Sequence, residues 1–303
     1  MLTAHNFSYG LVTPVLAYLM SCLGAFLGLR CTSRARAATG RERLRWLLLG
    51  ALSIGTTGIW VMHFIAMLGY TVPGQVIHYN VLVTIASMLI AVVVTGIGLL
   101  IVGFGKQNFR TLVLAGTFMG LGVATMHYSG MAAVRLAGRM TFNPTLFLLS
   151  VVIAIVACTV ALWFATNLSG LRTTLVAALI AGVAVSGMHY TTMAALHMWP
   201  AGTGGGMNMA GGGATAVGFL LPLLIGISIL AFIMTATIAL SPSSEEMRED
   251  AELLERIAAT QGGAYAAPPP AAAPGSQHWP AQVVSRGTQA RRQRAGNDRP
   301  PSA

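Results

Sequence analysis

Seven stretches of this chain are apolar for about twenty residues or more, and they narrow the folds open to it. They run over residues 9–29, 46–70, 80–104, 111–134, 145–166, 173–197 and 216–240. A helix rises ~1.5 Å per residue, so ~20 residues cross the ~30 Å hydrocarbon core of a bilayer. Lipid offers the backbone no hydrogen bonds, so uninterrupted apolar runs of this length read as helices that satisfy their own N–H and C=O groups. Composition agrees, with 55% hydrophobic and 9% charged residues against ~25% charged in a soluble domain. The expected fold class is all-α: a polytopic membrane protein with seven transmembrane helices. The first is expected to be retained, because its arginines follow it and no basic region precedes it.

The arginines set the expected orientation. Arg30, Arg34, Arg36, Arg41, Arg43 and Arg45 fall between the first two apolar segments, Lys106 and Arg110 follow the third, and Arg172 follows the fifth. Seven more lie beyond the seventh, whereas Arg135 and Arg139 are alone on the opposite side. The positive-inside bias then places the N-terminus outside and the C-terminus in the cytoplasm. This explains the net charge of +10 without nucleic acid as a partner. Every acidic residue falls on the cytoplasmic side, so the membrane region has no carboxylate. Cys22, Cys31 and Cys158 sit in or at the end of apolar segments and offer no outward-facing disulfide framework. Gly24 and Gly28, like Gly116 and Gly120, have the four-residue spacing that brings helix backbones together in lipid.

A short pattern recurs three times inside these segments. It reads Met62-His63-Phe64-Ile65-Ala66-Met67, then Met126-His127-Tyr128-Ser129-Gly130-Met131, then Met188-His189-Tyr190-Thr191-Thr192-Met193. The spacing of 62–64 residues covers two helices and their loops, so helices two, four and six run the same way and the chain holds three parallel two-helix repeats. Each histidine should lie seven or eight residues before the outer helix end, ~10–12 Å below the interface. Histidine and the second methionine of each motif are four apart and share a helix face. The first methionine is ~100° away. A single transmembrane histidine often only bonds a neighbouring helix. Three at one depth point to a shared site, although periodicity alone leaves their convergence open.

The donor set suggests what such a site would hold. Imidazole from His63, His127 and His189, with thioethers from Met62, Met67, Met126, Met131, Met188 and Met193, is soft to borderline and suits copper. Without a carboxylate to neutralise a dication, Cu(I) is easier to bury than Cu(II) or Zn(II). Tyr128 and Tyr190 are supporting candidates, as hydrogen-bonding groups or interfacial anchors. His5, His78, His197, Met198, Met207 and Met209 add similar donors on the outer side. Haem fits less well, since one histidine layer does not provide pairs in both leaflets. A retinal pump is excluded because Lys106 is the sole lysine and lies in a loop.

The motifs Met126-His127-Tyr128-Ser129 and Met188-His189-Tyr190-Thr191 resemble the signature of the bacterial MHYT-domain family, the last to the letter. The resemblance covers roughly residues 5–240. It implies an integral membrane domain of the bacterial cell membrane, with three motifs near the outer face that bind copper and sense a diatomic gas: O2, CO or NO. Many members carry cyclic-di-GMP or histidine-kinase output domains. Two departures stand out: Phe64 replaces a tyrosine, and no output domain is expected after the seventh helix.

The expected organisation is a membrane domain over 1–240, a short charged cytoplasmic helix over 241–260, and a disordered Ala/Pro/Arg-rich cytoplasmic tail over 261–303. The expected role is non-enzymatic sensing in the bilayer, with a cytoplasmic signalling protein as partner. The alternative is copper uptake, storage or delivery.

Overall fold

The computed structural model describes residues 5–199, 207–208, 213–240 and 252–257. The protein is a multi-pass, all-α membrane protein. Among the described residues, six helices are long and apolar enough to cross a bilayer: α1 (Val12–Ala37), α2 (Gly40–Leu68), α3 (Val81–Phe104), α4 (Phe109–Ala133), α5 (Pro144–Asn167) and α6 (Leu171–Ala195). A seventh apolar helix, α7 (Leu221–Leu240), follows a wide π turn over Ala216–Leu220. Residues 252–257 form a short exposed helix in a separate unit. The rest of the expected charged segment, and the tail over 261–303, lie outside the described residues.

Consecutive helices pack side by side and α6 closes against α1, so α1–α6 form a ring. The motif-bearing helices α2, α4 and α6 alternate around it. Helix α7 packs on α1 and α2. That makes α2 the most enclosed helix, with 78% of its apolar stretch buried against 22–44% for the other five. Its middle, Ser53–Val61, is a wide π-helical segment in which every residue except the half-buried Ile54 is buried. Ser53 and Thr56 hydroxyls donate back to the carbonyls of Leu49 and Leu52, taking up acceptors that a widened helix uses poorly.

Glycines decide where these helices touch. A Cβ on Gly24 of α1 would fall 2.5 Å from the Cα of Gly58 in α2. One on Gly55 would meet the Val92 Cα in α3 at 2.8 Å, and one on Gly120 in α4 would meet the Ile155 Cα in α5 at 2.5 Å. The wide segment of α2 is thus clamped by close backbone approaches on two sides. In lipid, contacts of this kind carry helix association, because burying one apolar surface against another gains little.

Helix α1 runs on to Ala37 and carries Arg30, Arg34 and Arg36 as helical residues, so the expected first loop shrinks to Ala38 and Thr39. Arginine is a good helix former, and its long side chain reaches polar groups from inside a helix. The Arg36 guanidinium donates to the carbonyls of Ala165 and Leu168 at the end of α5, satisfying acceptors that a helix C-terminus leaves open. Arg34 lies 4.9 Å from the Trp46 ring centre and Arg43 lies 5.5 Å from that of Phe104.

At the other end the motif helices stop earlier than their apolar runs, and the chain turns into short strands. β1 (His78–Tyr79) pairs with β2 (Val134–Arg135) and, after β3 (Arg139–Phe142), β4 (Leu196–Trp199) and β5 (Met207–Asn208), with β6 (Ala214–Thr215). β3 pairs with β4 and β5. Here the backbone leaves helix and still needs partners, which strand pairing provides. Asparagine starts the helices that follow α2 and α4: the Asn80 side chain accepts from Val83 N–H at 3.0 Å and that of Asn143 from Thr145 and Leu146. Their backbone N–H groups donate to Ala133 and Ala195, the last residues of α4 and α6, both at 2.8 Å.

The clamp can be tested. Gly24→Val should destabilise the bundle by roughly 1–3 kcal/mol or more through overpacking, lowering its melting temperature in detergent. Gly187→Ala, where an added Cβ meets nothing within 4 Å, should leave the melt unchanged or slightly raised. Equal melts for the two variants would show that the α1–α2 contact does not limit stability.

Candidate metal centre

The three motif histidines meet. Ring centres of His63 and His127 are 4.6 Å apart, and His189 lies 5.1 Å from each. The rings form a near-equilateral triangle with each pair roughly edge to face. All three side chains are at most 1% exposed. They lie five residues before Leu68, six before Ala133 and six before Ala195. That is shallower than the seven or eight expected, because each motif helix gives way to strand or loop sooner. One layer of imidazole therefore sits just beneath the strands.

Alternation around the ring explains the convergence. Parallel helices one repeat apart present equivalent residues at equal height, and three such helices surround one axis. His63 Nδ1 and His189 Nδ1 are 3.2 Å apart. The Nε2 atoms of His63 and His127 are buried without a hydrogen-bond partner. One nitrogen from each residue can be chosen so that all lie within 4.8 Å of one another. A metal–imidazole bond of ~2.0–2.1 Å is compatible with such a triangle after modest ring rotation. Bare buried ring nitrogens cost free energy, about 1–3 kcal/mol each in protein interiors. Three buried imidazoles with one nitrogen each this close together, two of them with an unpartnered Nε2, are a donor set that fits a soft or borderline cation.

Gly130 belongs to this site, and the motif reading passed over it. A Cβ there would fall 2.6 Å from His63 Nε2. The signal was available: the residues three positions after the histidines are Ala66, Gly130 and Thr192, all small.

The aromatic residues of the motifs face away from the triangle into separate surroundings, each keeping an edge contact with its own histidine. Phe64 packs against Trp60, ring centres 4.7 Å apart, and near Tyr79 at 6.1 Å. Burial pushes the Tyr79 phenol well above its usual range, so it stays neutral. Trp60 Nε1 donates to Ser87 Oγ at 3.0 Å. Phe64 is completely buried, in a place that needs a ring and offers no evident use for a hydroxyl. The Tyr128 hydroxyl is 2.8 Å from Ser150 Oγ, with Phe142 and Phe147 beside its ring. Tyr190 stacks on Phe7 at 5.5 Å, its buried hydroxyl without a partner.

All six motif methionines are at most 4% exposed. Met62 packs with Ala17 and Ala66, against Val185 and Tyr190. Met67, Met126, Met131, Met188 and Met193 join the main core. The outer candidates lie elsewhere. His5 forms a backbone bridge with Thr71. His78 and His197 sit in β1 and β4, each with Nδ1 near the carbonyl two residues earlier. Among the described residues, none of these three groups with other ligating residues as the motif histidines do. Met198 is buried in β4, where Met140 of β3 is its register partner, and Met140 also pairs with Met207. Met209 lies outside the described residues. The cysteines are free.

Comparison with known proteins follows the same repeat. The profile of the family described as "MHYT: Bacterial signalling protein N terminal repeat" matches residues 57–116 and 120–178, each match beginning a few residues before a motif. The chain is 35% identical over 246 residues to the bifunctional diguanylate cyclase/cyclic di-GMP phosphodiesterase MucR of Pseudomonas aeruginosa, covering 80% of this chain and 35% of that protein. It is 37% identical over 206 residues to the cyclic di-GMP phosphodiesterase NbdA of the same organism, covering 66% and 26%. The signaling protein YkoW of Bacillus subtilis is 28% identical over 195 residues, covering 62% and 24%. The chain thus spans about a third or less of the length of these curated relatives. No solved structure matches. With three Met-His-aromatic motifs on alternate helices of one membrane ring, this chain belongs to the MHYT family of bacterial signalling proteins.

Proposed function

We propose that this protein is a membrane sensor in which His63, His127 and His189 hold one copper ion, as Cu(I), and that the bundle responds to a diatomic gas (O2, CO or NO) or to redox state. The observation that carries this reading is the buried triangle of imidazoles, two of whose Nε2 atoms have no partner. When bound, copper would supply a redox couple and a coordination position for a small ligand. The chain's residues do the rest. The imidazoles hold the ion with neutral donors. The motif methionines, all buried in the same helices, would add polarisable thioethers as further soft donors. The strands and the aromatic residues beside each histidine keep water away. A monovalent ion suits this surrounding, since burying two uncompensated charges costs more than burying one.

The role proposed is sensory, with no catalysis by this chain. In the expected topology the histidine layer lies near the outer face and the arginine-bearing helix ends face the cytoplasm. Relatives whose names describe making and degrading cyclic di-GMP suggest a cytoplasmic signalling protein or module as the recipient. For a signal to pass, the ring must have two states that bind the ligand differently.

A second reading, copper uptake or delivery, draws on Met140, which is in register with both Met198 and Met207 in the sheet at the histidine end. Soft donors there could feed an ion to the triangle. Below it, however, the helix interior becomes apolar rather than offering another histidine layer.

Three outcomes are expected. Protein purified after expression with copper supplied should contain about one copper per chain, and a His127→Ala/His189→Ala variant should contain none. Metal-free wild-type protein would overturn the reading. Gly130→Ala should push the His63 ring aside and weaken copper retention at least tenfold against a competing chelator, while Gly187→Ala leaves it unchanged. Cellular copper content should be the same with and without the protein, and a clear difference would favour transport instead.

A further inference from the structure

One helical turn below the histidine layer, on the side of the arginine-bearing ends, the ring holds a partly open cavity of about 50 Å³. Ile59, Val123 and Val185 line it, and they sit four residues before His63, His127 and His189 respectively. The cavity is therefore centred under the triangle, with Met188 and Met119 in its wall. A buried water needs two to four polar partners. Among side chains this wall offers only the Ser21 hydroxyl and the Cys158 thiol, and helix backbones have spent their N–H and C=O groups internally. The wall is thus almost wholly apolar, and the cavity favours an apolar occupant over water. Its volume is about a third of the ~150 Å³ that admits benzene in an engineered apolar cavity, so its occupant has only a few atoms.

The wall also shows how such an occupant would arrive. A second apolar space opens on the outer surface between α5 and α6. Ala157, Ala161, Phe164 and Ala181 line both it and the cavity. The surface groove is flanked by Val152, Val156 and Ile180, about half exposed. Helices α5 and α6 are also the least enclosed of the ring, so this face meets lipid. Small apolar gases are more soluble in hydrocarbon than in water, and three alanines and Phe164 are all that the two spaces share as a wall.

We propose that this cavity is a docking site for one small apolar gas molecule, reached from the bilayer between α5 and α6. The inference deepens the sensor reading and rests on it for the physiological gas. It identifies where the gas resides and the face from which it comes. A gas held there lies directly beneath the imidazole layer, without crossing the strands on the other side.

The test uses the whole protein in lipid nanodiscs with 13C-labelled methionine methyl groups and xenon as the probe. Dissolved xenon should shift the Met119 and Met188 methyl signals saturably and leave Met20, which does not line the cavity, unmoved. Ala154→Leu and Ala161→Leu, which fill the wall, should each remove the saturable shift. Unmoved Met119 and Met188 signals in folded wild-type protein would overturn the proposal. So would contacts from lipid acyl protons to the Met188 methyl, since an acyl chain would then occupy the space. Copper content measured on the same samples separates the two readings. Xenon binding without copper would leave the cavity standing and remove the metal, and copper without xenon binding would do the reverse.

Discussion

A bare imidazole nitrogen inside a membrane protein has few ways to lower its free energy, and the fold is arranged around that constraint. Lipid cannot hydrogen-bond it, and the bundle's own carbonyls are engaged in helices. His63, His127 and His189 turn to one another instead, with His63 and His189 in Nδ1 contact at 3.2 Å. The ring of six helices is the simplest scaffold that permits this. Alternate helices run parallel, so the motif recurs at one height, and three faces are enough to enclose an axis. A single two-helix repeat would leave its one histidine without another to meet.

The rest of the packing serves to hold that height and angle. Glycines at the α1–α2, α2–α3 and α4–α5 crossings bring backbones within contact, fixing the helices where side-chain packing in lipid would allow sliding. The asparagine caps Asn80 and Asn143 perform the same task at the strand end. Each starts one helix with its side chain and holds the end of a motif helix with its backbone N–H. The recurrence of this arrangement, like the recurrence of the motif, marks the two-helix repeat as the structural unit.

Much of this was legible in the sequence, for reasons tied to particular residues. The all-α class and the long apolar helices follow from the apolar runs, because the bilayer thickness fixes helix length. Convergence was not legible. The face on which His63 lies cannot be projected along α2 in steps of 100°, since the wide segment Ser53–Val61 changes the turn on which the projection depends. The π segment has no clear sequence marker beyond its buried serine, threonines and glycines. Charge alone reads Arg30, Arg34 and Arg36 as loop, whereas α1 runs on through them and Arg36 caps α5. The strands were missed because two-residue pairings such as His78–Tyr79 with Val134–Arg135 are too short to leave a periodic pattern.

The two halves of the interior differ in kind, and the difference follows from what each can satisfy. At the strand end three imidazoles face one another, and Gly130 leaves room beside His63 Nε2. One turn lower, Ile59, Val123 and Val185 present branched carbon, and the space they line has few polar groups to offer. A polar molecule would find partners only at the upper level, and an apolar one would lose least at the lower. The boundary between them is the plane of three buried rings, held by helices that cannot slide past their glycine contacts. Anything that altered the spacing of those rings would therefore act on α2, α4 and α6 together, because each supplies one corner of the triangle and one wall of the space beneath it.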